Sequence, residues 1–279
     1  MKLLKSILVV LLFGNFAFAQ IVIEGTILDA TTKIPIPYVN IGVLNSSTGT
    51  VSNSQGVFQL QLKSIDHQIA FSSIGYERFE INAKDLEQNN TIELVKKDYL
   101  IEEIKIEATK FAGEEKRFGV KNKTRGGSIS FAGKMLGTEI GTPIKIDRPT
   151  YIKSANFVLN HADGDSMSFR VNIYEFKDGK VGENLLKENI LIKDKQRRGI
   201  ITVDMTPYDL ILDSNVLLSL EWIENNGEQG NEGITFDTKK SKKPRGIYYR
   251  KASLKQFTKI PLVKRRFNTC FYFIGKQEN

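Results

Sequence analysis

Few residues in this chain are of types that do covalent chemistry. There are two histidines, His67 and His161, and one cysteine, Cys270. A nucleophilic thiol or hydroxyl needs a base beside it, and two isolated histidines supply neither a triad nor a metal cluster with ease. No G-x-S-x-G, H-E-x-x-H or G-x-x-x-x-G-K-[ST] motif occurs. Cys270 lies in an aromatic strand pattern, Thr269-Cys270-Phe271-Tyr272-Phe273, and reads as a buried small hydrophobe. Alone, it forms no intrachain disulfide.

Three weaker constellations remain. Asp163 and Asp165 offer oxygen ligands in the run Asn160-His161-Ala162-Asp163-Gly164-Asp165, as a structural Ca2+ would need. The spaced ligands and closing glutamate of an EF-hand are missing, so a tight turn is the reading and no cofactor is expected. Trp222, Tyr248 and Tyr249 are of the type that stacks on sugar faces, although aromatics on alternating strands commonly belong to a core. Glu221 and Glu224 flank Trp222 and are the nearest approach to a paired-carboxylate site for glycoside hydrolysis.

The largest signal is charge. Residues 239–266 hold twelve Lys or Arg and no acid. Among them Lys239, Lys240, Lys242, Lys243, Arg245, Arg250, Lys251, Lys264, Arg265 and Arg266 are candidates for contact with a polyanion. The competing reading is a solvated, solubilising face. The bias is regional: residues 20–110 carry 8 basic and 12 acidic side chains, and residues 111–279 carry 30 and 20.

The elements that must position these residues are strands. Period-2 alternation marks 21–29, 38–44, 58–63, 68–74, 79–82, 91–95 and 104–107, with Asn53-Ser54-Gln55-Gly56 and Gln88-Asn89-Asn90 as turns. Seven short strands in about ninety residues predict a small β-sandwich. Alternation lapses over 109–127, where charge and glycine rise, so a linker is expected. Strands resume at 128–131, 151–160, 167–176, 185–193, 199–205, 216–224, 234–236, 246–250 and 269–275, enough for a two-sheet jelly roll. Helical periodicity is nearly absent.

At the front, Lys2 and Lys5 precede the apolar run 7–13 and the small-residue site Ala17-Phe18-Ala19. This order predicts a signal peptide over 1–19 and export to the periplasm, outer surface or medium. No later apolar stretch is long enough to cross a membrane as a helix.

Gly25-Thr26-Ile27-Leu28-Asp29, Thr32, Pro35, Pro37, Val39-Asn40-Ile41, Gly49-Thr50, Gly56-Val57-Phe58 and Phe71-Ser72-Ser73-Ile74-Gly75-Tyr76-Glu77 occur in order. In this the first half resembles the carboxypeptidase regulatory-like domain, a transthyretin-like sandwich of exported Bacteroidetes-type proteins. Asn53 stands where that family often has aspartate. The resemblance implies no catalysis, because this domain accompanies zinc carboxypeptidases without holding their metal. Their H-x-x-E pair is also missing, since Gln-Ile-Ala follows His67 and Ala-Asp-Gly follows His161. The run from Ile173 through Leu186 is similar to an uncharacterised jelly-roll module that follows this domain in flavobacterial exported proteins.

The fold expected is therefore all-β: signal peptide 1–19, seven-stranded transthyretin-like sandwich 20–108, linker 109–127 and jelly-roll-like sandwich 128–279. The function expected is exported, non-catalytic binding or envelope structure. Its partner would be an envelope polysaccharide, lipopolysaccharide or envelope protein. Chromosomal nucleic acid is not expected, because the chain is addressed outward and lacks an RNA-binding signature. The alternative is a secreted peptidase or glycosidase with a carboxylate site that leaves no motif.

Overall fold

Alternation of apolar and polar residues becomes strand wherever one face can be buried. In the computed structural model, residues 21–88, 90–98, 108–121, 127–131, 136–162, 167–225, 233–241, 246–252, 254–260 and 267–278 are described. The leader 1–19, Asp163 and Asp165, and six of the candidate cations (Lys242, Lys243, Arg245, Lys264, Arg265 and Arg266) lie outside these residues, as does the expected strand 104–107.

The first sandwich is built from β1 (Ile21–Asp29), β2 (Asn40–Val43), β3 (Gly49–Val51), β4 (Val57–Leu62), β5 (Gln68–Ser72), β6 (Phe79–Asn82) and β7 (Thr91–Leu94), with a short helix Ala83–Gln88. One sheet runs β4-β1-β7 and the other β3-β2-β5-β6. In β4, Phe58, Leu60 and Leu62 point inward and Val57, Gln59 and Gln61 outward, as the sequence pattern requires. Phe58 meets Phe71 of the opposite sheet edge to face at 5.5 Å. Asn53 holds its turn: its side-chain oxygen accepts hydrogen bonds from the backbone N–H of Gln55 and Val57, both at 2.9 Å. The turn closes on Gly56 at φ 72°, a conformation that disfavours any side chain.

The second sandwich contains β8 (Lys116–Gly119), β9 (Ser128–Phe131), β10 (Glu139–Ile144), β11 (Thr150–Ala162), β12 (Met167–Lys177), β13 (Lys180–Asn184), β14 (Ile190–Asp194) and β15 (Gly199–Asp204). It continues with β16 (Ile211–Leu212), β17 (Val216–Asn225), β18 (Ile234–Lys240), β19 (Tyr248–Arg250), β20 (Thr258–Lys259), β21 (Phe267–Thr269) and β22 (Phe271–Gln277). A seven-stranded sheet runs β13-β12-β17-β10-β19-β20, with β14 also on β12; an eight-stranded sheet runs β21-β18-β11-β22-β8, with β9, β15 and β16 attached. Phe131, Phe169, Trp222, Phe236 and Phe271 meet between the sheets, largely edge to face. The chain is thus all-β, with a seven-stranded sandwich followed by a two-sheet, jelly-roll-like one.

Two expectations are corrected. Residues 116–119, placed in the linker, form β8, which pairs with β22 and extends the second sandwich. The expected strand 185–193 is a loop followed by β14. The reason in the first case is that four residues of edge strand, with Phe118 packed on the core, need no extended alternation to be recruited.

The two sandwiches are docked. Leu254 of the second packs 3.0 Å from the point a side chain at Gly42 would occupy, and Ala252 sits 3.2 Å from the same point at Gly49. Gly42 and Gly49 face each other across β2 and β3, so together they make a flat seat for this loop. Ile74 packs against the core of the second sandwich, and Asn189 donates to the hydroxyl of Ser73 at 3.4 Å.

Candidate functional site

Strand β12 sends Phe169, Val171 and Ile173 into the core, so Ser168, Arg170, Asn172 and Tyr174 face the other way. That second face is not left to water. Ser168, Arg170, Asn172 and Tyr174 are all buried, beneath the first sandwich and the loops around β19 and β20.

Register then aligns charges across four strands. Arg170 lies opposite Glu221, Glu221 opposite Glu139, and Glu139 opposite Arg250. The row reads plus, minus, minus, plus. Arg170 Nη1 donates to Glu221 Oε2 at 3.1 Å; Arg250 donates to Glu139 Oε2 from Nη2 at 2.6 Å and from Nε at 2.7 Å. Asn172 spans the two carboxylates, its amide 2.9 Å from Glu139 Oε1 and 3.3 Å from Glu221 Oε2. Ser219 donates to Glu139, and the Tyr174 hydroxyl accepts from Arg250 at 2.7 Å. Gly141 is what leaves room for this, since a Cβ there would meet Ser219 at 2.8 Å.

Burial pushes the Glu139 carboxyl up; Arg250 pulls it back and Glu221 adds to the rise. Burial likewise raises the Tyr174 phenol well above its ordinary range. Burial works against the Arg250 charge, but Glu139, Tyr174 and Glu221 outweigh it and hold the guanidinium charged. Both carboxylates are fully buried and each is held by an arginine. Such an array is suited to fixing geometry rather than to exchanging protons with a substrate.

The row reaches into the first sandwich. Arg170 Nη2 donates to the backbone carbonyl of Tyr38. Tyr38 sits at φ 55°, a left-handed conformation that costs a bulky residue roughly 1–2 kcal/mol. Its hydroxyl lies 3.5 Å from Glu224 Oε2, which also accepts from Ser168 at 2.8 Å. Glu221 and Glu224 share this face only because the register shifts between Ser168 and Phe169, where a bulge on β17 inserts one residue.

Between the sandwiches this leaves a cleft of about 670 Å³. Its walls include Asn40, Ser73 and Tyr76 on one side and Arg170, Asn172 and Asn184 on the other. Two buried atoms on those walls have no hydrogen-bond partner, Arg170 Nε and Asn40 Oδ1. A second cavity of about 530 Å³ adjoins it and shares Tyr174, Gly182, Arg250 and Leu254.

The structure disperses the residues picked out in the sequence. Trp222 is 1% exposed, with its ring edge to face on Phe131 and its indole N–H bonded to the Glu224 carbonyl at 2.7 Å. It is core, and its face is not available to a sugar. Tyr249 also packs on the core, whereas Tyr248, though buried, lines the second cavity. Arg250 is not a surface cation but the counter-ion of Glu139. Lys239 and Lys240 lie on β18 in the eight-stranded sheet, while Arg250 belongs to β19 in the other and exposed Lys251 follows it, so the described cations divide between the two sheets. Cys270 is buried, and the described residues contain no cluster of three or more metal-ligating side chains.

Sequence reasoning passed over Glu139, Arg170, Asn172 and Tyr174. One signal was present: the polar face of β12, from Ser168 to Tyr174, carries Ser, Arg, Asn and Tyr, and no Lys or Glu. That composition suits a desolvated polar layer better than a solvated one.

Comparison with known proteins supports the first sandwich. Residues 23–106 match the family model of the CarboxypepD_reg-like domain. No curated protein matches the chain. Among solved structures, the cysteine protease and lectin-like domains of Cwp84, a surface layer associated protein of Clostridium difficile, align at 12% identity and TM-score 0.41, covering 83% of this chain and 46% of that one. Clostridial Cwp84 after propeptide cleavage aligns at 12% identity and TM-score 0.43, covering 94% and 66%. A structure of the Gx strain of infectious bursal disease virus aligns at 9% identity and TM-score 0.28, covering 95% and 69%. The chain spans about half the length of the first of these, and likeness at such scores carries no argument.

Proposed function

We propose that this is an exported, non-catalytic binding protein of the cell envelope, and that it takes a glycan in the cleft between its two sandwiches. The observation that carries this reading is the cleft itself. It is polar, of a size typical of ligand sites, and lined by buried groups with hydrogen-bonding capacity to spare. A buried donor or acceptor without a partner costs about 1–3 kcal/mol. Both atoms are closed to water as they stand, so a hydroxyl-rich ligand gains by drawing the Asn40 amide and the edge of the Arg170 guanidinium round to meet it. The sequence's leader pattern supports export, and no helix among the described residues is long and apolar enough to cross a membrane.

Non-catalytic action rests on the state of the carboxylates. Glu139 and Glu221 are locked to arginines at 0% exposure, which is unlike an acid and a base facing a scissile bond. The test is a glycan array on the mature chain, paired with assays for product release from polysaccharide and peptide panels. Retention without turnover is the expected result. Hydrolysis that disappears with a single carboxylate substitution would overturn it in favour of a secreted hydrolase.

A further inference from the structure

Resting on that reading, we infer that the ligand is an acidic oligosaccharide, with a neutral sugar in the interdomain cleft and the adjacent acid-bearing sugar in the second cavity. The two cavities differ in what they ask for. In the cleft, Arg170 is matched with Glu221, Arg250 with Glu139, and at the rim Arg78 with Glu80 at 2.7 Å. Exposed Glu77 and Glu183 add two carboxylates with no ion-pair partner among the described residues, which disfavours an acidic sugar there. What remains unsatisfied there is one N–H donor, Arg170 Nε, and one carbonyl acceptor, Asn40 Oδ1. Both are closed to water as they stand; once the side chains turn toward the cleft, a hydroxyl can accept from the first or donate to the second, and a sugar carries several.

The second cavity has no carboxylate among its lining residues. It is lined by Lys180, Lys255 and Gln256 beside Tyr248 and Phe257. Lys180 and Lys255 are exposed, and among the described residues neither has an ion-pair partner. Arg250, already committed to Glu139, stands on the shared wall. Two free ammonium groups beside an aromatic lining suit a sugar ring that bears a carboxylate or sulfate. Because the cavities share Tyr174, Gly182, Arg250 and Leu254, one chain of linked sugars can occupy both without leaving the protein surface.

Calorimetric titration with a tetrasaccharide of alternating uronate and N-acetylhexosamine, and with its carboxyl-reduced form, tests this. The acidic form should bind about tenfold more tightly, the effect expected of two exposed charge contacts. Added salt should shrink that difference without abolishing binding. The double variant Lys180→Gln/Lys255→Gln should bind both forms alike, and these exposed sites leave folding untouched. Asn40→Ala should weaken both forms by about tenfold at unchanged melting temperature; Arg170→Lys, which keeps a cation for Glu221 but removes Nε–H, is the second variant should Asn40→Ala unfold.

Equal binding of the two forms by the native protein, or an acid preference that survives loss of both lysines, overturns the inference while leaving a glycan-binding protein. Binding of the acidic form that vanishes only on substitution within 239–243 or 264–266 does the same, by moving the site to the basic run. Absence of any glycan from the array removes the proposed function along with it.

Discussion

Arg170→Met should be among the most destabilising single substitutions in the second sandwich. Arg170 is 1% exposed and its partner Glu221 is not exposed at all. Methionine matches the length of the stem but takes the guanidinium away from the buried carboxylate, for which the Asn172 amide at 3.3 Å is a poor substitute. Breaking a buried pair from one side costs about 3–5 kcal/mol, a large part of the roughly 5–15 kcal/mol that holds a domain folded. The double variant Arg170→Met/Glu221→Leu removes the buried carboxylate along with its counter-ion. Its remaining deficit should be about 1–3 kcal/mol, the cost of leaving the Tyr38 carbonyl without a donor. Trp222 is the chain's single tryptophan and lies in the same sandwich, so urea unfolding followed by its fluorescence reads this region directly. The reasoning is refuted by a single variant that loses less than about 1 kcal/mol, or by a double variant no more stable than the single one.

Four further outcomes are expected. The amides of Lys116–Gly119 should exchange as slowly as those of the strand they pair with, β22; rapid exchange there would restore the linker reading. Trp222 emission should be blue-shifted and hardly quenched by acrylamide, with or without glycan, whereas ready quenching would put the ring at the surface. Asp29 is held at a pKa of about 2, chiefly by the backbone N–H of Thr32 against the opposing effect of burial, with help from Thr31 and the Tyr76 hydroxyl. A depressed folded-state pKa gives stability that is present above the ordinary aspartate value and lost as pH falls toward 2. Asp29→Asn should therefore lower stability at neutral pH and flatten its fall between about pH 4 and 2; an unchanged acid limb would deny Asp29 that role. Intact mass of the exported chain should place its N-terminus at Gln20, and a retained leader would contradict export with cleavage.

The sequence announced one side of each sheet and was silent about the other. In Phe169, Val171 and Ile173 the core face of β12 is plain, because apolar residues recur every second position. The same pattern makes Arg170, Asn172 and Tyr174 look solvated, since alternation identifies an apolar face but not what later covers the polar one. Glu139, Glu221 and Arg250 are 82 and 29 residues apart along the chain and become neighbours only through register. β10 was missed outright: Gly141-Thr142-Pro143 has the composition of a turn, yet both faces of Glu139–Ile144 are buried. Pro143 is tolerated there because, among the described residues, β19 pairs with β10 only as far as Gly141, so proline's missing N–H costs no ladder bond to β19. The basic run was legible as composition but not as a surface, because Arg250 turns inward to a carboxylate more than a hundred positions earlier.

The contact between Arg170 and Tyr38 is made to main chain rather than to a side chain. A carbonyl oxygen is supplied by every amino acid, so replacements at position 38 preserve the acceptor as long as the turn keeps its left-handed form. The interface is thus tied to a backbone shape in one module and to a particular side chain in the other. Such a joint tolerates drift on one side only. A different sandwich with the same turn could be grafted in front of the second unit and would bring the acceptor with it, whereas the arginine could not be exchanged so freely. The two modules can evolve at different rates and still meet.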